Sequence, residues 1–312
     1  MYDGKVSENE IRRVKVSVKF KAHETFFIRK GWLSKGMRHI ANKPDLFVDK
    51  NENPMDILGL GSNMVKSLRY WLQATGLAEE KIENKKHIQR LTENFGQVIF
   101  ENDRYIEEIG TLLLIQYKLA SNHDNASAWY YFFNHFNLQE FSREDFIVEI
   151  EKTLLSENEN VPPHTTISSD FDCIVSTYLP RYKLRKAEVD PENNIDCPFG
   201  ELNLLDVLDR KKGVYKKATP LVSIFNPWVV LAVIVANTDG RSEIRLNDLL
   251  IGKNNIGRVF NLNSGLMLEI LYNIEKTGQL KIIRTSGLDV IQLKKNYTFE
   301  ECVKNYYKDI EK

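Results

Sequence analysis

Between Pro54 and Leu77 the chain reads PMDILGLGSNMVKSLRYWLQATGL: a short helical run, a glycine turn and a longer helical run whose two faces differ in chemistry. At about 100° per residue, Trp71, Met64, Thr75, Leu68, Leu72 and Val65 fall on one arc, and Arg69, Gln73, Lys66 and Tyr70 on the other. An apolar arc of that width must pack against a core, so the segment predicts a helix-turn-helix with one face left for a partner. Ser62 or Asn63 is placed to cap the second helix through a side-chain oxygen, and Gly76 to end it in the left-handed conformation. Gly59-Leu-Gly61 is read as the turn. No strand precedes it, no third glycine follows at nucleotide-loop spacing, and no Gly-Lys-Ser/Thr motif occurs.

Charge decides what the outer face could meet. The 312 residues carry 43 basic and 43 acidic side chains, so the chain is no general polycation, and any nucleic-acid surface must be local. Residues 1–40 hold ten basic against four acidic side chains, and this basic stretch lies just ahead of the helix-turn-helix. Behind it, Lys81–Thr92 (KIENKKHIQRLT) has two β-like runs about Asn84-Lys85-Lys86, as the wing of a winged helix would. Double-stranded DNA is the expected partner. Ser62, Asn63, Lys66, Arg69 and Gln73 are the candidate reading face, and Lys85, Lys86 and Arg90 the candidate phosphate contacts.

Further along, residues 103–155 turn helical, through Ile109, Leu112, Leu113 and Tyr117, the aromatic run from Trp129 to Phe133, and a helix opened by Ser142-Arg-Glu-Asp145. Ser156–Ser169, with Pro162-Pro163, reads as a linker, and residues 184–220 as an irregular wrap. The C-terminal part repeats the opening pattern: a short helix at 245–251, a longer one at 263–277, and LKIIRT-SG-LDVIQLKK as a hairpin. Its long helix should turn Leu266, Met267, Ile270, Leu271 and Ile274 inward and expose Leu268, Glu269, Tyr272, Glu275 and Lys276. Carboxylates there repel phosphates, so this second unit suits a protein partner better than DNA.

The expected architecture is mainly α with small β-wings: a winged-helix-like domain at 1–100, a helical middle at 101–160, a linker and wrap at 161–220, and a second winged-helix-like domain at 221–312. His23, Glu24, Arg29 and Trp32 form the densest polar constellation. It lacks the second histidine of a zinc helix, so neither a metal nor a catalytic residue is assigned. Cys173, Cys197 and Cys302 are odd in number and widely spaced, against both a disulfide framework and a zinc module. No apolar run approaches the roughly 20 residues of a membrane span, and the N-terminus lacks a signal peptide's apolar core, so a cytoplasmic protein without cofactor is expected.

Five blocks also carry a resemblance: HETFFIRKGWLSKG, LGLGSNMVKSLRYWLQATGL, LTENFGQVIFENDRYIEEIGTLLLIQYKLA, AWYYFFNHF and IDCPFGELNLL. In that order they resemble an uncharacterised prokaryotic family catalogued as a domain of unknown function. Its members are typically encoded beside DNA phosphorothioate-modification genes, notably for proteins resembling phosphoadenosine phosphosulfate reductases, and in phage-defence islands. The resemblance implies a DNA-modification or defence setting, with a sulfurtransferase or reductase-like subunit as protein partner. It supplies no catalytic residues. A DNA-binding accessory protein is therefore expected. The alternatives are a transcriptional regulator of such an operon, a scaffold that does not touch DNA, and a nuclease or nucleotide-handling subunit using His23, Glu24 and Arg29.

Overall fold

The computed structural model describes residues 18–180, 197–285 and 288–311; the four basic residues before Val18 and the hairpin tip at Ser286-Gly287 lie outside them. Helices dominate, and the sheets among the described residues are small and antiparallel, as expected.

The first half runs α1 (Trp32–Asn42), α2 (Pro54–Leu58), α3 (Ser62–Ala74) and the hairpin β1 (Ala78–Glu83) and β2 (Lys86–Leu91). Asn84 and Lys85 turn that hairpin at φ 50° and 62°, the doubly left-handed pair that matches the twist of the flanking strands. Next come α4 (Gly96–Asn102), α5 (Ile109–Ala120), α6 (Ser127–Asn134), β3 (Glu140–Phe141) and α7 (Arg143–Ser156). The start of α7 is the reciprocal capping box expected: the Ser142 hydroxyl accepts from the Asp145 N–H, and the Asp145 carboxylate from the Ser142 N–H.

Two sequence expectations need correction. The linker ends early, because α8 (His164–Tyr178) begins inside the stretch read as loop. Its polar opening, HTTISSD, hides a buried stripe of Ile167, Asp170, Phe171 and Ile174. Residues 184–220 are not wholly irregular either: β4 (Leu205–Asp209) and β5 (Val214–Lys217) pair as a hairpin, and β3 adds to the β5 edge.

The remainder is α9 (Pro227–Val235), β6 (Glu243–Arg245), α10 (Leu246–Ile251), α11 (Ile256–Val259), α12 (Ser264–Thr277), β7 (Leu280–Thr285), β8 (Leu288–Leu293) and α13 (Phe299–Ile310). Here β6 joins β8 as a third strand, whereas the N-terminal hairpin stays two-stranded. On α12, Met267, Ile270, Leu271 and Ile274 are buried and Glu269 and Lys276 exposed, as the periodicity predicted. Glu275, expected outside, is half-buried because its carboxylate accepts from the Ile282 N–H (2.8 Å).

One apolar cluster runs through all of these parts. Its axis is α5, buried along nearly its whole length, and α9, an apolar helix packed on α5 and α13. Gly110 on α5 exists for a close approach: a Cβ there would stand 2.3 Å from Cζ of Tyr306 on α13. Beside it, Thr111 and Tyr307 share a buried hydroxyl hydrogen bond (2.7 Å). Toward the N-terminus, Trp71 of α3 meets Trp129 of α6 edge-on at 5.1 Å, a favoured aromatic geometry.

Candidate nucleic-acid interface

α3 is seated by a strap of extended and turning chain at residues 18–28. The Phe26 carbonyl accepts from the Trp71 indole N–H (2.9 Å) and from the Ser67 hydroxyl (3.3 Å). The strap also corrects one assignment. Tyr70, read as outward-facing, is buried, its ring 4.9 Å from that of Trp71 and 6.4 Å from that of His23. A helical wheel shows where Tyr70 points but not that a segment more than forty residues earlier covers it.

The capping expectation also changes. The N-cap of α3 is Gly61, in extended conformation and without a side-chain cap, and Ser62 is the first helical residue. Asn63 instead receives the exposed Lys66 ammonium (3.5 Å). The first turn of α3 therefore keeps uncapped N–H groups beside a lysine, an arrangement that suits an anion. Gly59 and Gly76 have φ 61° and 69°, as the turn and helix-stop readings required.

The other candidate cations are engaged. Arg69 donates through Nε and Nη2 to Glu80 of β1 (2.9 and 2.6 Å), and Gln73 donates to the Arg69 carbonyl (3.3 Å). Arg90 forms a two-point pair with Glu83 (3.1 and 3.0 Å) and Lys86 reaches Asp45 (3.1 Å). Of the proposed basic face, Lys66 and Lys85 show no carboxylate partner among the described residues. Glu80, Glu83 and Asp45 are the neighbours of this face that the sequence reading left out. Glu80 and Glu83 sit in the hairpin's own sequence and could have been weighed, whereas Asp45 is brought in only by the fold.

His23, Glu24, Arg29 and Trp32 do not form one site. His23 is fully buried. Its Nδ1 accepts the Thr25 N–H (3.1 Å), which places the proton on Nε2, and that nitrogen donates to Asp170 (2.7 Å). Asp170 also accepts the Lys21 N–H, and burial raises its carboxyl above the ordinary value. The set ties the strap to α8 (Lys21–Asp170). Arg29 instead lies over the rings of Phe26 and Trp32 and lines a cleft of about 310 Å³ with Lys30, Tyr105, Glu107 and Glu201. Neither His23 nor Glu24 reaches that cleft. The three cysteines are free and buried.

A family model described as "Protein of unknown function (DUF4007)" matches residues 20–307. The chain belongs to the DUF4007 family. No match was found among curated proteins. Two solved structures share the fold of this DUF4007 chain: "Magnesium ion-bound SspB crystal structure", at 23% identity and a TM-score of 0.81 over 94% of this chain and 89% of that one, and "SspB crystal structure", at 22% and 0.79 over 94% and 87%. Among the described residues no three His, Cys, Asp or Glu side chains are grouped to hold a metal ion, so they do not fit a magnesium ion caged by protein ligands alone. No helix among the described residues is long and apolar enough to cross a membrane.

Proposed function

We propose that this chain is a DNA-binding accessory protein of a phosphorothioate-modification or related phage-defence system, with its N-terminal helix-turn-helix and hairpin acting as a winged helix on duplex DNA. The observation that carries the reading is the first turn of α3: backbone N–H groups without a side-chain cap, next to exposed Lys66, on a helix fixed by the strap and followed by a hairpin whose tip presents Lys85. The genetic setting implied by the sequence blocks and the fold shared with SspB are consistent with it.

Arg69, Lys86 and Arg90 fit as reserve contacts. Their carboxylate pairs are all at least partly exposed, where water and salt screen the attraction, so a phosphate could displace Asp45 or Glu83 and, less readily, the more covered Glu80. The acidic, half-apolar outer face of α12 would dock the protein partner.

A scaffold that bridges other subunits without touching DNA is the second reading, and those same three pairs favour it, because they leave the face less basic than its sequence suggests. Lys66→Ala with Arg69→Ala separates the two. Duplex binding should weaken, and the slope of log affinity against log salt should fall by roughly one per lost phosphate contact. An isotherm that does not change with salt, in native and variant alike, refutes DNA contact and leaves the scaffold.

A further inference from the structure

A second cleft, of about 450 Å³, opens between the end of β5, the segment after α6 and the start of α12. Its lining holds two cations, Lys217 and Arg258, and no aspartate or glutamate. The Lys217 ammonium donates to the carbonyls of Phe132 (3.2 Å) and Phe136 (2.6 Å). Two of its three protons are thus used on the last turn of α6 and the residues just after it, whose Phe132 and Phe136 rings also flank the ammonium, and one remains. Arg258 donates through Nε to the Ile251 carbonyl (3.1 Å) and through Nη1 to Asn137, which leaves Nη2 without a partner among the described residues. Ser264, the first residue of α12, also lines the cleft. Asn263, one position before it, caps the Leu266 N–H.

A lysine that only capped α6 would need no second cation facing the same space. Lys217 is half-buried, its ammonium sunk against the rings of Phe132 and Phe136, and Arg258 faces the same space from the exposed rim; with no carboxylate in the lining, the cleft holds an excess of positive charge that draws a counter-ion. We propose that this cleft is a binding site for a phosphate-class oxyanion, either free phosphate or the terminal phosphate of a nucleotide or nucleic-acid end, held by the spare donors of Lys217, Arg258 and Ser264. The volume lies within the usual range for a nucleotide-sized ligand. Burial, with Arg258 nearby, also pulls the Lys217 ammonium down to about 7; a bound anion opposes both effects.

The test is a calorimetric titration of the full chain with inorganic phosphate against chloride at matched ionic strength, followed by an oligonucleotide with and without a 5′-phosphate. Saturable phosphate binding is expected, weakened about tenfold or more by Lys217→Met and by Arg258→Gln, the loss of one charge-assisted hydrogen bond. Should Lys217→Met not fold, Arg258→Gln and the native titration still decide. If only the 5′-phosphorylated strand displaces inorganic phosphate, the site takes nucleic-acid ends; if neither strand does, it takes the free ion. Heat no greater than with chloride, or native affinity in Arg258→Gln, overturns the proposal. The inorganic-phosphate titration involves no duplex, so it stands or falls apart from the α3 assignment.

Discussion

Gly110→Ala tests whether the C-terminal helix and the middle of the chain form one structure. On an isolated helix the change should be favourable by up to about 1 kcal/mol, since alanine restricts the unfolded chain and glycine does not. Here the added methyl would stand 2.3 Å from Cζ and 2.4 Å from the hydroxyl of Tyr306. That ring is only 2% exposed, so it has no space to swing into. Overpacking of this kind costs about 1–3 kcal/mol. The balance is a destabilisation of about 1–3 kcal/mol, or a melting temperature lower by roughly 2–6 °C. Thermal and urea unfolding should show this within one transition. In a Tyr306→Leu background the same step should become neutral or favourable. A native-background Gly110→Ala as stable as the parent would refute the seating of α13 on α5.

Two further outcomes follow from the N-terminal half. Lys85→Gly should stabilise the chain by about 0.5–1 kcal/mol in thermal unfolding, because Lys85 sits at φ 62° where glycine is unstrained; if Lys85 also touches phosphate, duplex affinity falls while stability rises. Lower stability would contradict the turn assignment. Asp170→Asn should cost about 2–4 kcal/mol in urea unfolding, since the amide loses an acceptor shared by His23 and the Lys21 N–H in a site closed to water; a change below about 0.5 kcal/mol would show that the His23–Asp170 pair does not hold the strap.

Local signals were read well from the sequence. Periodicity gave α3 and α12 within a residue, the Ser142 capping box gave the start of α7, and Gly59 and Gly76 gave the turns. The losses came from contacts distant in sequence. Tyr70 went inward because the strap lies over it, and His23 found Asp170 147 positions away. Arg69, Lys86 and Arg90 met carboxylates that a count of positive charges ignores. Helical wheels and charge sums describe one element at a time, while a binding face depends on what the rest of the chain brings to it.

The strap at residues 18–28 bears on how the protein is made. Its donors and acceptors include Ser127 for the Lys19 N–H, Asp170 for Lys21 and His23, and Trp71 for Phe26. The strap's contacts are therefore complete only once α8 has been made. At the usual 5–20 residues per second that is a delay of roughly 10–30 s, during which His23 and the Lys21 N–H lack their carboxylate partner. Until residue 170 emerges, the strap's hold on α3 rests on the Phe26 carbonyl with Trp71 and Ser67, and a chain arrested near residue 160 would leave His23 without its acceptor.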